Sequence, residues 1–305
     1  MEGSLDRLDA MSVLLAAVEA GSLSKASRRL GLPLATVSRK VAELEAHLGA
    51  DLLVRSSKGL EPTPAGRSYA AAAKAILEQV DEAERLAAGE YEAPKGDLSL
   101  TAPTMFGRLH VLPVVADFLA ASHEVAVDLA LTDRVAHFGD DQVDVAIRIG
   151  DLPDSSLIAT SLGQVRRVVC ASPRYLDAKG TPATPDDLAR HSVVSREGVV
   201  SPAEWTFVQQ GQTVSAAIRS RLGLDTLDAI IDAGLLGMGL IRANSYQVVE
   251  HVRSGRLVLV LEAFEPAPRQ VRLVYRAQAR LPLKLRAFID FVVPRLRKRL
   301  ADAEI

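Results

Sequence analysis

Up to about Gly89 the apolar residues recur at helical spacing, and beyond it they alternate or cluster in short runs, so the chain changes texture once. Leu8, Met11, Leu15 and Val18 stripe a first helix. Leu23, Ala26 and Leu30 pattern a short second one, and Gly31-Leu32-Pro33 breaks it. Val37, Val41, Leu44 and Leu48 then predict a third helix from about Leu34 to Leu48 with one face on a core. The segment DLLVRSSKGLEPT reads as two short extended runs with a turn at Lys58-Gly59, a hairpin wing beside the helices. Thr63 suits a helix N-cap and Pro64 a first helical residue. The helix they open, to about Ala88, would span roughly 38 Å. Along it Tyr69, Ala73, Ile76, Val80, Ala83 and Ala87 form a heptad-like seam whose small residues allow a second helix to come close.

Glu90 to Lys95, with Pro94 and Gly96, is a hinge candidate. After it, strand and helix signals alternate. LSLTAP, VAVDLAL, VDVAIRIG, RRVVCAS and QVRLVYRA read as strands, and Gly211 as a turn between two more. Helices are predicted from Arg108 to Ala121, after Thr184-Pro185-Asp186-Asp187, from about Asp225 to Ala233, and from Leu283 to Leu300. The remaining length suits two α/β lobes.

Charge sharpens the first half more than the whole. The 305 residues carry a formal charge of −2, yet from Ser22 to Arg67 eight basic residues face four acidic ones. Thr36, Ser38 and Arg39, with Ala35, occupy the first turns of the third helix opposite its apolar face. That is where a recognition helix meets base edges and where its dipole favours phosphate. Ser24, Lys25, Lys40, Arg55 and Lys58 complete the expected DNA-binding set, the last two on flanking phosphates. A small helical bundle with a solvated basic face is the plainer alternative. Arg295, Arg297, Lys298 and Arg299 read as a solvated helix end complementing the dipole.

Other chemistries find little footing. The six histidines show no paired-ligand spacing, and no Walker loop or GxSxG elbow is present, so neither metal nor cofactor is expected and no catalytic residue is assigned. The one cysteine, Cys170, excludes an internal disulfide and sits in a strand, buried and inert. Asp6, Arg7, Asp9 and Glu19 interrupt any export signal, and runs such as IIDAGLLGMGLI are too short to span a bilayer. A cytoplasmic protein with no membrane partner is expected.

The pieces AVEAGSLSKASRRLGL, ATVSRKVAELEAHLGADLLVRS and EPTPAG resemble the LysR-type transcriptional regulators in order and spacing. Ser27, Leu34 and Pro33 depart from that pattern, where alanine, glutamine or proline, and a hydroxyl cap are usual. TAPTMFGRLHVLP, VDVAIRIGDLPDSSLIA, ASPRYL, TPDDLARH, SGRLV and LPLKLRAFIDF extend the resemblance over nearly the whole chain, with departures at His137 to Asp141 and at Arg242.

The resemblance implies a mostly α winged helix-turn-helix domain over 1–63 and a linker and dimerisation helix over 64–89. A hinge over 90–95 would lead to an effector-binding domain over 96–305 built like a type II periplasmic binding protein. Lobe I would cover about 96–163 and 267–305, lobe II about 164–266. It further implies a homodimer, assembling to a tetramer, on an approximately palindromic site in double-stranded promoter DNA. A small polar or anionic effector would bind at strand carboxyl ends. Thr101, Pro103, Thr104, Phe106 and Thr132 would line one wall, and Ser195, Arg196, Trp205 and Asp225 the other. Each has an ordinary alternative use: Thr104 as a cap, Trp205 as core, Arg148 or Arg196 as a surface ion-pair partner. A cytoplasmic sensing or solute-binding protein whose N-terminal part only mediates assembly, or an enzyme using the cleft, are the competing functional readings.

Overall fold

The computed structural model of the chain describes residues 6–56, 59–87, 93–133, 143–151, 157–196, 203–278 and 281–305. It divides into two compact units that part between Ala93 and Pro94.

The first unit holds α1 (Arg7–Ala20), α2 (Leu23–Leu30), α3 (Leu34–Leu48), a hairpin of β1 (Leu53–Ser56) and β2 (Gly59–Pro62), and α4 (Pro64–Ala87). The predicted stripe on α1 is corrected: Leu8 is 41% exposed, while Ala10, Val13, Leu14 and Ala17 are buried. The reason is that α1 is covered on two sides. Val13, Ala16 and Ala17 pack with Ala26, Val37 and Val41. Ala10 and Leu14 pack with Leu44, Leu52 and Tyr69. Leu52 takes the place after Leu44 in this second cluster, which leaves Leu48 exposed, contrary to its place in the predicted stripe. Among the described residues of α4, Gly66, Ala70 and Ala73 are buried, and Ile76 and Ala83 are exposed.

Glu45 on α3 fixes the wing, its Oε1 accepting from the backbone N–H groups of Leu52 (2.8 Å) and Leu53 (3.0 Å). Thr63 caps α4 by accepting from Gly66 N at 2.9 Å while its own N–H donates to Leu52 O. This brings α4 so close to the wing that a Cβ on Gly66 would lie 1.9 Å from Leu52 O.

In the second unit a five-stranded sheet has the order β4 (Val125–Leu131), β3 (Gly96–Ala102), β5 (Val145–Ile149), β14 (Arg269–Arg276), β6 (Leu157–Val165). β3 runs parallel to β4 and β5, and β14 antiparallel to β5 and β6. The helix expected from Arg108 begins earlier, as α5 (Thr104–Phe106), continues through a π turn (Gly107–Val111), and ends as α6 (Leu112–Ala121). By length and composition Thr104–Ala121 is apolar enough to cross a membrane, but Phe106, Val111, Val114, Val115 and Phe118 lie in the lobe core. α10 (Leu283–Asp302) closes that core, with Phe288 edge-on to Phe118 at 5.1 Å.

The second lobe centres on β7 (Arg167–Ala171), flanked antiparallel by β12 (Ile241–Asn244) and β13 (Val258–Val260). β8 (Val193–Ser195) pairs in parallel with β11 (Ser220–Gly223), and β9 (Ala203–Gln209) and β10 (Gln212–Ile218) form the hairpin at Gly211. Its helices are α7 (Pro173–Lys179), α8 (Leu227–Leu235) and α9 (Ser245–Arg253). The helix predicted after Thr184 is a 3-10 turn, Pro185–Arg190, held by a Thr184–Asp187 capping box. Cys170 is buried in β7, and burial pushes its thiol up to about 12.

Because the clash at Gly66 is with backbone, Gly66→Ala should destabilise the first unit by about 1–3 kcal/mol. In denaturant the helical circular dichroism should then lose part of its signal early, while fluorescence of the sole tryptophan, Trp205 in the second unit, keeps its midpoint. A wild-type helical transition would contradict this packing.

Candidate functional site

Neither α2 nor α3 has a side-chain hydrogen bond capping its start, so no side chain competes for their first backbone N–H groups. Between those starts and the wing lies a groove of about 430 Å³ lined by Ser22, Ser24, Leu34, Ser38 and Leu60, among others. It brings Ser24 together with Ser38. Lys25, Ala35 and Arg39 are exposed on the same two helices, and Thr36 is half-buried. Arg39 pairs with Glu43 one turn on (2.7 Å) but stays 62% exposed, a contact weak enough to be exchanged for a base or phosphate. Lys40 differs. Its ammonium is tied to Asp9 of α1 and largely covered, so the structure gives it a packing role rather than the open one predicted. Arg55 lies opposite Leu60 in the wing, and Lys58 lies outside the described residues. Leu34, 47% exposed in the groove, was not among the predicted contacts.

In the second unit Thr101 is 2% exposed at the end of β3, and its hydroxyl has no partner among the described residues. Pro103 follows, and Thr104 opens α5 with its N–H donating to Asp133 Oδ1 at 3.0 Å. Thr132 N donates to Ala102 O, setting the end of β4 beside the end of β3. From the second lobe Arg196 reaches Asp133 Oδ2 at 3.4 Å. Asp133 therefore joins the two walls that sequence reasoning named separately. Its position directly after Thr132 was the available signal. Ser195 is buried, its hydroxyl on Ser220 at 3.3 Å, and its carbonyl accepts from Leu224, the neighbour of exposed Asp225.

Two predicted wall residues are core instead. Phe106 is fully buried, with His110 and Tyr246 against its ring. Trp205 is 1% exposed within the β9 face of the second lobe, covered by the Arg242 guanidinium 4.8 Å from the ring centre. Alternation along β9 turns that side chain inward. The C-terminal cations are also more committed than a solvated helix end: Arg295 stacks on Phe291, Arg297 donates to Ser161 O, and Arg299 to Leu109 O.

Residues 8–67 match the family described as bacterial regulatory helix-turn-helix protein, lysR family, and residues 92–297 match the LysR substrate binding domain. The chain belongs to the LysR family of transcriptional regulators. It is a DNA-binding regulator with an effector-binding C-terminal domain of the type II periplasmic-binding-protein fold, in a family of regulators and not of enzymes. The regulator is 31% identical to the HTH-type transcriptional repressor PA14_22550 of Pseudomonas aeruginosa, covering 95% of this chain and 92% of that protein. The structure of CrgA, a LysR-type transcriptional regulator from Neisseria meningitidis, is 28% identical with a TM-score of 0.60, over 94% of this chain and 98% of that one. Full-length LysG from Corynebacterium glutamicum with bound effector Arg, at 19% identity and a TM-score of 0.64 over 95% and 98%, shares the fold.

Arg39→Ala should weaken specific operator binding by about 1–3 kcal/mol and relax discrimination at one position. A binding titration in which the variant keeps full discrimination would remove Arg39 from base readout.

Proposed function

We propose that promoter binding by this regulator is modulated by a small polar or anionic effector held between Thr101, Pro103, Thr104, Thr132, Ser195 and Arg196. The observation that carries this reading is the seat of Asp133. Its carboxylate rests on a helix-start N–H and a guanidinium from the opposite lobe, which are the groups that would receive a ligand's anionic group in its stead. The unpartnered Thr101 hydroxyl supplies a further polar contact. Such a ligand acts only by binding one arrangement of the lobes better than another. LysG, which shares the fold, has been solved with an effector bound.

On the DNA side, Thr36, Ser38 and Arg39 read base edges, and Leu34 and Ala35 offer apolar contact to thymine methyls. Ser24, Lys25, Arg55 and Lys58 hold phosphates. The chain divides into a DNA-binding domain, a linker helix, a hinge and a two-lobed effector domain, and the parting of the two units between Ala93 and Pro94 supports the hinge. The exposed Ile76 and Ala83 on α4 support a dimer seam there, and dimer symmetry implies an approximately palindromic operator. Association of dimers into tetramers through the effector domains completes the assembly. A regulator of this kind works on the bacterial chromosome, hence in the cytoplasm. The helix-turn-helix match leaves no need for the reading in which the N-terminal part serves assembly alone.

The effector seat is tested by screening polar and anionic metabolites against the full chain by thermal shift. A ligand that changes promoter binding should lose about tenfold in affinity in Thr104→Val and more in Arg196→Ala. Unchanged affinity in both variants would move the effector elsewhere. For the seam, Ile76→Glu places two like charges across the dimer axis and should drive sedimentation toward the monomer. A dimer of wild-type stability would exclude α4 as the contact.

A further inference from the structure

We propose that the regulatory unit contains a second ligand pocket, separate from the cleft at Thr104 and Arg196, which binds a small zwitterion of the amino-acid kind. A cavity of about 500 Å³ lies between the π turn and α10 of one lobe and α8 and α9 of the other, and it shares no lining residue with that cleft. Its size suits a small metabolite, since ligand sites run from about 300 Å³ upward.

The π turn on that wall goes with one proline. Pro113 has no N–H, so the Leu109 carbonyl four residues earlier loses its usual helical donor. The helix widens there into the π turn, with Leu112 N bonded to Gly107 O, and Arg299 of α10 donates from Nη2 to Leu109 O at 2.9 Å. Gly107 sets the turn close against β4, where a Cβ would lie 2.2 Å from a methyl of the Leu131 side chain. Single π turns inside helices occur frequently at functional sites.

The turn holds His110 7% exposed on the cavity wall, with its ring 4.9 Å from Phe106 and 5.3 Å from Tyr246. Neither ring nitrogen has a partner among the described residues, and neither does the buried Nε of Arg299 or Nδ1 of His251, both also on the wall. Burial, reinforced by the Arg299 charge, lowers His110 to about 4, so the ring is neutral and offers one donor and one acceptor. Buried polar groups are ordinarily hydrogen-bonded, and several unmet ones on one cavity wall mark a place for a ligand's polar atoms.

Charge on the walls selects the occupant. The deep donors, Arg299 Nε–H and the imidazole N–H, lie beneath the cavity surface, where a shift of the covering side chains would let carboxylate oxygens reach them. At the exposed rim Asp228, Asp232, Glu250 and Asp302 outnumber Arg108 and Arg253, so an ammonium would meet a net acidic edge. Leu109, Ile231 and Val249 supply apolar lining between the two. Because both lobes contribute walls, occupancy would favour one lobe arrangement, as the cleft effector does.

Calorimetric titration of the full-length protein with the standard L-amino acids, one at a time, tests the proposal. At least one should bind, and its affinity should fall by about tenfold or more in both His110→Phe, which keeps the ring packing, and Asp232→Asn on the exposed rim. Binding should persist in Arg196→Ala, since Arg196 is not among the residues lining the pocket. No binding by any amino acid, or binding unaffected by both pocket substitutions, would overturn the proposal. Loss in Arg196→Ala with retention in the pocket variants would assign the ligand to the cleft and equally overturn it.

Discussion

The effector domain depends on Arg166. Among the described strands, the chain passes between lobes where β6 gives way to β7 and where β13 leads to β14, and Arg166 stands in the first of these passages. Its guanidinium forks onto Glu265 in the second, Nε to Oε2 at 2.7 Å and Nη2 to Oε1 at 2.8 Å. It also reaches Glu262 and the carbonyl of Ile305. Bidentate, charge-assisted bonds of this kind constrain direction as well as distance. Those carboxylates reinforce the protonated state of Arg166. The backbone of Arg166 in turn exchanges bonds with Ser245 at the start of α9. One residue therefore sets how β6, α9 and the C-terminus meet, and with them the separation of the walls that carry Thr104, Asp133 and Arg196.

In the DNA-binding unit the corresponding constraint is burial of α1 on two sides. Alanines at positions 10, 16 and 17 let α2, α3 and α4 approach closely, and the polar start of α3 is left as the outward surface. Lys40 and Glu45 serve that arrangement from the same helix, one toward α1 and the other toward the wing. The residues that remain open at the helix start, Ala35, Ser38 and Arg39, are those with no such task.

How much of this was legible in the sequence follows from which physical signals are local. The boundaries of α3 and β4 and the two strands of the wing rest on spacing and turn residues within a few positions, and these were readable. β6 was not, because it lies at a sheet edge with few of its side chains buried and carries no clean alternation. The α1 stripe was misjudged since two clusters claim that helix, and period alone cannot count neighbours. Phe106 and Trp205 were assigned to the cleft by position along the chain, yet large rings are drawn into cores where they bury most area. Asp133 and Arg166 act through partners 63 and 99 residues distant, separations at which no local pattern operates.

Everything proposed for this regulator presupposes sequence-specific promoter binding through the wing and recognition helix. It is tested most directly by a gel-shift titration of the full-length protein on DNA beside its own gene, with excess nonspecific competitor and several salt concentrations. The shift should survive the competitor and weaken with salt as phosphate contacts are screened. Absence of binding to any duplex fragment of its genome would contradict it.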